Sequence, residues 1–176
     1  MLKKFLVAPL ALLAIMTVTA DAKSPAELND LEIAHVAYTA DLIDIRYAYL
    51  ALAKSKNPAI HKFARTMIRD HSAVNDQALA LLKKLKATAQ DNFLSQSLNA
   101  GSDKLVEEMS QLSGAAFDRR YAENEFAYHK SVNGLVEGTF IPNIEHPEVK
   151  ALFEKALIIF RAHEKHAEKM AAAVGS

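Results

Sequence analysis

The chain of 176 residues contains no cysteine. That absence excludes disulfides, a lipid-bearing cysteine, cysteine nucleophiles and thiolate metal ligands. Strand-period alternation of useful length is missing as well, and with it any sign of a sheet. Neither sign of charge is in excess, because 21 Lys and Arg balance 21 Asp and Glu. Nucleic-acid binding usually needs a basic surface, and none is indicated. Beyond the first twenty-odd residues no apolar run is long enough to read as a membrane span.

The one long apolar run is at the start. Residues 1–4 are short and basic, and residues 5–20 are almost uninterrupted apolar sequence. Small residues follow in Val18-Thr19-Ala20 and Ala20-Asp21-Ala22. This is the layout of a secretory signal peptide over residues 1–22, cleaved after Ala22 or alternatively after Ala20. Removing Lys3, Lys4 and Asp21 leaves 19 basic and 20 acidic residues, a net of −1. The expectation is one domain over residues 23–176, periplasmic or secreted, with no stable membrane insertion after cleavage.

Helix signals fill the rest. Ser24-Pro25-Ala26-Glu27 offers an N-cap, a proline at N1 and a glutamate at N3. The first helix follows, with Leu28, Leu31, His35, Tyr38, Leu42, Ile45, Tyr49 and Leu52 recurring by three and four as its seam. Asn57-Pro58 caps a second helix running to about Ala87. A polar connection over residues 88–101 leads to a short helical piece at 102–113, and Gly114 permits a break. A third long helix runs from about Ala115 to Glu137, a loop spans residues 138–147, and the last helix starts near Pro147. The fold class is therefore all-α: a four-helix bundle with an extra short connecting helix.

Three of these helices interrupt an apolar seam with a histidine. The second reads Ile60, Phe63, Ala64, Met67, His71, Val74, Ala78, and the last reads Phe153, Ala156, Phe160, His163, Ala167, Met170. The seam between them carries acids as well: Asp118, Tyr121, Glu125, His129. Ionisable groups facing a bundle interior are unfavourable unless paired or bound to a metal. Register adds an acid from the first helix. Asp44 stands 13 residues before Asn57 and His71 stands 14 after it, so antiparallel helices bring them to nearly the same height. Asp44 shares a small-residue face with Ala34, Ala37, Asp41, Ala48 and Ala51. Counting outward from the 138–147 loop places His163 nearer Glu125 and Asp118 than His129.

Without thiolates a site must use imidazole and carboxylate, which suit zinc, iron, manganese or copper(II) better than copper(I). The expected ligand set is His71, His129 and His163 with Asp118, Asp44 and Glu125, holding a divalent transition metal, zinc or iron foremost. The only Glu-x-x-His is Glu32 to His35, near the start of the first helix, so a diiron pattern drawn from two such motifs is not supplied. His163 and His166 are three apart rather than the four of a zinc-peptidase helix. His61 and His146, near helix starts, read as surface residues.

Two segments resemble a known family. The run from Phe63 to His71 (Phe-Ala-Arg-Thr-Met-Ile-Arg-Asp-His), followed by Asn75, and the run from Leu112 to Tyr121 with Phe117-Asp118, followed by His129, are similar to the exported bacterial family called domain of unknown function 4142. The resemblance implies a ferritin-like bundle and singles out Asp70, His71, Asp118, Tyr121, His129 and His163. It aligns Asp44 with a position that is usually glutamate, and Leu157-Ile158 stands where the family's Leu-Pro is common. Members are often labelled outer-membrane proteins, yet no strand pattern here fits a membrane barrel. The resemblance implies no particular reaction. Metal handling, sequestration or stress protection is the first reading. A redox or hydrolytic metalloenzyme on the same residues is a second, and a metal-free structural or partner-binding bundle a third.

Overall fold

A computed structural model describes residues 23–175 of the protein, so the expected signal peptide and its cleavage site lie outside the described residues. The described chain is all helical, with five long helices: α1 (Asp30–Lys54), α2 (Pro58–Leu85), α3 (Phe93–Gln111), α4 (Gly114–Leu135) and α5 (Pro147–Gly175). None of them is long and apolar enough to cross a membrane.

Four of the five form the bundle. α1 packs on α2 and α4, and α5 packs on the same two, so every neighbouring pair is antiparallel. α3 is the connection. Its start is tied to the start of α1 by Asn92 Nδ2 donating to the Glu32 carbonyl (3.1 Å). Its end reaches the end of α1, where Lys54 donates to the Ser110 carbonyl. α3 therefore carries the chain back along the outside of α1, and at 19 residues it is far longer than the short piece expected. Asn92 is the reason: its side chain accepts from the backbone of Leu94 and Ser95, starting the helix inside the polar stretch that reads as a connection.

Three other expectations are corrected. Ser24 caps only a single 3-10 turn, Pro25–Glu27, while Asn29 with Glu32 forms the capping box that starts α1. The buried face of α1 is not the seam read from its large residues, since Leu42 and Tyr49 are exposed. It is the small-residue face with Ile33, Val36, Ala40, Asp44, Ala48 and Ala51. α1 is apolar on both sides because α3 covers part of its outer face, so periodicity alone cannot choose between them. Finally, the helix after Gly114 does not stop near Glu137. It widens into a π-helical turn, Val136–Phe140, and continues through Ile141–Asn143. The loop shrinks to three residues before Pro147, and α4 and α5 meet in a different register from that expected.

Two apolar clusters fill the interior. One, around Tyr47, Phe63, Met67, Met109, Phe117 and Met170, lies toward the α1–α2 loop. The other, around Ile33, Val136, Phe140, Ile144, Val149 and Phe153, lies toward the start of α1. Between them sits a polar layer.

Candidate metal centre

The polar layer is built from one or two residues of each bundle helix. Asp41 and Asp44 are three apart on α1, and Glu125 and His129 four apart on α4, so each pair shares a helix face. α2 contributes His71 inward and Asp70 toward α5, and α5 contributes His163. Tyr128 donates to the Ala40 carbonyl (3.0 Å), and Asn133 donates to the Phe160 carbonyl (3.2 Å) and Glu164 (2.8 Å), which sets the height of α4 against α1 and α5.

His71, His129 and His163 are each 3–4% exposed, with ring centres 5.3–5.7 Å apart. One donor atom from each lies within 4.8 Å of the others, and the same holds for Asp44, Glu125 and His129. Each imidazole is held by an outside acceptor. His71 Nδ1 faces Asp41 Oδ1 at 2.7 Å, His129 Nδ1 donates to the Glu125 carbonyl at 2.8 Å, and His163 Nε2 faces Asp70 Oδ2 at 2.9 Å. A carbonyl or carboxylate oxygen only accepts, so the facing ring nitrogen carries the hydrogen. Of the opposite nitrogens, His129 Nε2 and His163 Nδ1 are buried without a hydrogen-bond partner, and His71 Nε2 is buried against Asp44. His71 Nε2 and Asp44 Oδ2 come within 2.5 Å, and His129 Nε2 lies 3.5 Å from the same oxygen. Phe160 stacks flat on His71, centroids 4.6 Å apart, closing one side.

The electrostatics separate the groups. Burial works to lower the His71 imidazole, but the charge of Asp44 and the hydrogen bond to Asp41 outweigh it and push it up to about 10. Burial pulls His163 down to about 4 despite Asp70, and burial also lowers His129. Asp44 resists its own burial because His71 and His129 hold its carboxyl well below the usual range. Glu125 goes the other way: full burial, then the charge of Asp44, keep it a neutral acid. Before any ion enters, the layer therefore holds an Asp44 carboxylate against a His71 imidazolium.

The structure brings together five of the six expected ligands: His71, His129, His163, Asp44 and Glu125. Asp118 does not join them. It is two helical turns before Glu125 on α4, about 10 Å away along the axis, and only half-buried. His163 stands level with His129 rather than with Glu125 and Asp118, because the π-helical turn and its extension shorten the α4–α5 loop. His61 turns back to the Ser55 carbonyl (2.7 Å), His166 packs edge-on to Phe63, and Glu32 caps α1, so none enters the layer. Sequence reasoning missed Asp41 as the partner of His71. Its signal was the Asp-x-x-Asp spacing with Asp44, one turn apart on one face.

The fold is similar to a solved structure, "CopM in the Cu(II)-bound form", with a TM-score of 0.65 at 16% identity, covering 83% of this chain and 97% of that chain. At that identity the likeness concerns the fold alone. No curated protein matches the sequence. The model of the family described as "Domain of unknown function (DUF4142)" matches residues 16–170, nearly the whole chain, and the protein belongs to that family.

Proposed function

We propose that the protein is an exported metal-handling bundle that holds one divalent first-row ion in its polar layer. His71 Nε2, once its proton has been released to solvent, would join His129 Nε2 and His163 Nδ1 as the nitrogens and Asp44 as the carboxylate. Glu125 stands beside them as a neutral acid whose proton can also leave to solvent when an ion binds. The observation that carries this reading is the convergence of three buried ring nitrogens, each opposite a nitrogen held by an acceptor: His129 Nε2 and His163 Nδ1 have no hydrogen-bond partner, and His71 Nε2 lies against the Asp44 carboxylate. Imidazoles that bind metals characteristically donate their other N–H to such an acceptor, which sets the tautomer and orients the ring. Core histidines serving only as hydrogen-bonding residues would leave His129 Nε2 and His163 Nδ1 unsatisfied, against the general rule for buried polar groups.

Three nitrogens and a carboxylate suit zinc and iron, the ions expected from the sequence, and suit copper(II) equally. The fold shared with a protein solved in a Cu(II)-bound form favours copper(II) here. The compartment we propose is the periplasm, on the strength of the leader-like first 22 residues.

The test is the metal content of protein isolated without added metal, followed by titration of the stripped protein. The isolated content decides the ion, because copper(II) outcompetes zinc and iron at most nitrogen sites in vitro. About one ion per chain is expected. Alanine at His71, His129 or His163 should each weaken binding roughly a hundredfold or more, beyond what losing an outer partner costs. Alanine at His61 or His146 should change nothing. Protein that is isolated metal-free and is not stabilised by copper, zinc, iron, manganese or cobalt would overturn the reading in favour of a structural bundle.

A further inference from the structure

Next to the polar layer the interior is hollow. A cavity of about 180 Å³ starts at Asp41 and Asn75 and runs about two helical turns toward the start of α1, between α1, α2, α4 and α5. Its wall is overwhelmingly apolar: Leu82 from α2, Leu135 from α4, Phe140 from the π-helical turn, and Phe153 and Phe160 from α5 are among its residues. Protein interiors are normally packed to the density of organic crystals, and voids larger than a water molecule are few. Most of this wall offers none of the two to four polar partners that an ordered water needs. The backbone also departs from regular helix at this place, and π-helical turns inside helices frequently mark functional sites.

Four polar residues interrupt the apolar wall, Tyr38, Asp41, Asn75 and Ser131, and Asn75 is the one with an unpartnered buried oxygen. Asn75 is only 6% exposed, lines the cavity, and has its Oδ1 buried with no hydrogen-bond partner. A buried amide oxygen left in that state is unfavourable, and a ligand hydroxyl would satisfy it.

We infer that this cavity binds a small monocyclic aromatic molecule bearing one hydroxyl, of the phenol class, with its ring among Leu82, Leu135, Phe140 and Phe153 and its hydroxyl donating to Asn75 Oδ1. Size selects the class. An apolar cavity of about 150 Å³ accepts benzene, so this one, at about 180 Å³, matches a ring with a short substituent better than a long acyl chain. The ring would lie beside Phe160, whose other neighbour is His71, so the aromatic site adjoins the metal layer without using any of its donor atoms.

The inference does not depend on the metal reading, and its test uses stripped protein. Calorimetric titration with 4-ethylphenol, ethylbenzene and dodecanoate separates the possibilities. 4-Ethylphenol should bind, ethylbenzene roughly five- to tenfold more weakly for want of the hydroxyl, and dodecanoate not measurably. Asn75→Leu should erase the difference between the first two probes. Ala78→Phe, which places a ring in the cavity from α2, should abolish binding of both while leaving copper(II) titration unchanged. No binding of 4-ethylphenol at millimolar concentration would overturn the inference. So would equal binding of it by Ala78→Phe and the unaltered protein, tighter binding of dodecanoate, or equal binding of 4-ethylphenol and ethylbenzene by the unaltered protein.

Discussion

His71 and His163 lie 5.3 Å apart, are equally buried at 4% exposure, and face carboxylates at nearly the same distance. They nevertheless take opposite charge states, His71 held up to about 10 and His163 down to about 4. Burial of the imidazole is not what differs. His71 sits between two carboxylates that are themselves buried, Asp41 and Asp44, so their attraction is little screened. His163 has one, Asp70, which is partly exposed and already shares its charge with Arg69 at 2.6 Å. How well the partner is buried, and how many claims it already has, decides whether a buried histidine is charged.

The largest consequence concerns removal of each ring from the metal-free protein. His71→Ala leaves two buried carboxylates without their cation and should cost about 3–5 kcal/mol, the range for breaking a buried ion pair. His163→Ala leaves Asp70 still paired with Arg69 and should cost about 1–2 kcal/mol. Urea unfolding of both variants checks this. Equal losses would show that the two rings are held alike and would break the comparison.

The second consequence is that the two histidines shape stability on opposite sides of pH 6.5. An unfolded histidine titrates near 6.5. His163 in the folded protein refuses a proton until about pH 4, so its contribution is present above 6.5 and lost as pH falls toward 4. His71 keeps its proton to about 10, so its contribution is full below 6.5 and is lost as pH rises through 10. The His163 limb should amount to about 3 kcal/mol and the His71 limb to about 5 kcal/mol. In chemical denaturation of metal-free protein from pH 4 to 10, His163→Gln should therefore remove a loss of stability on the acid side of 6.5, and His71→Gln one on the alkaline side. Substitutions that changed the profile on the same side of 6.5 would contradict the assignment of opposite charge states.

The smallest effects lie one shell out. Asp41→Asn and Asp70→Asn keep shape and remove charge, and each should weaken metal binding within the 10- to 100-fold range for outer partners. Asp41→Asn should fall nearer the upper end, because its carboxylate is buried and its hydrogen bond unshared, and Asp70→Asn nearer the lower. Calorimetric titration of the two variants with copper(II) sharpens the comparison, and a reversed order would refute it.

Much of this architecture could be read from residues. The Asn57-Pro58 start of α2 and the seams of α2 and α5 followed from capping and period, because each of those helices is apolar on one side only. The level pairing of Asp44 with His71 followed from equal rise across a tight hairpin. What escaped had physical reasons too. α1 is apolar both on its inner face and on the side that α3 covers, so Asp41 passed as one more residue on an alanine stripe. The α4–α5 register escaped because a π-helical turn breaks the count of 3.6 residues per turn, and nothing in Val136-Glu137-Gly138-Thr139-Phe140 announces it. The start of α3 was missed because Asn92 sits among polar residues that read as a connection.

The polar layer has a topological consequence as well. Its donors come from α1, α2, α4 and α5, so an ion held by all four ties the first helix of the described chain to the last. A cross-link closing so long a loop removes more disorder from the unfolded chain than one closing a short loop. In secreted proteins that task commonly falls to disulfides, which a chain without cysteine cannot form. An ion bound in this layer would act as a reversible staple, released by acid or a chelator rather than by a reductant.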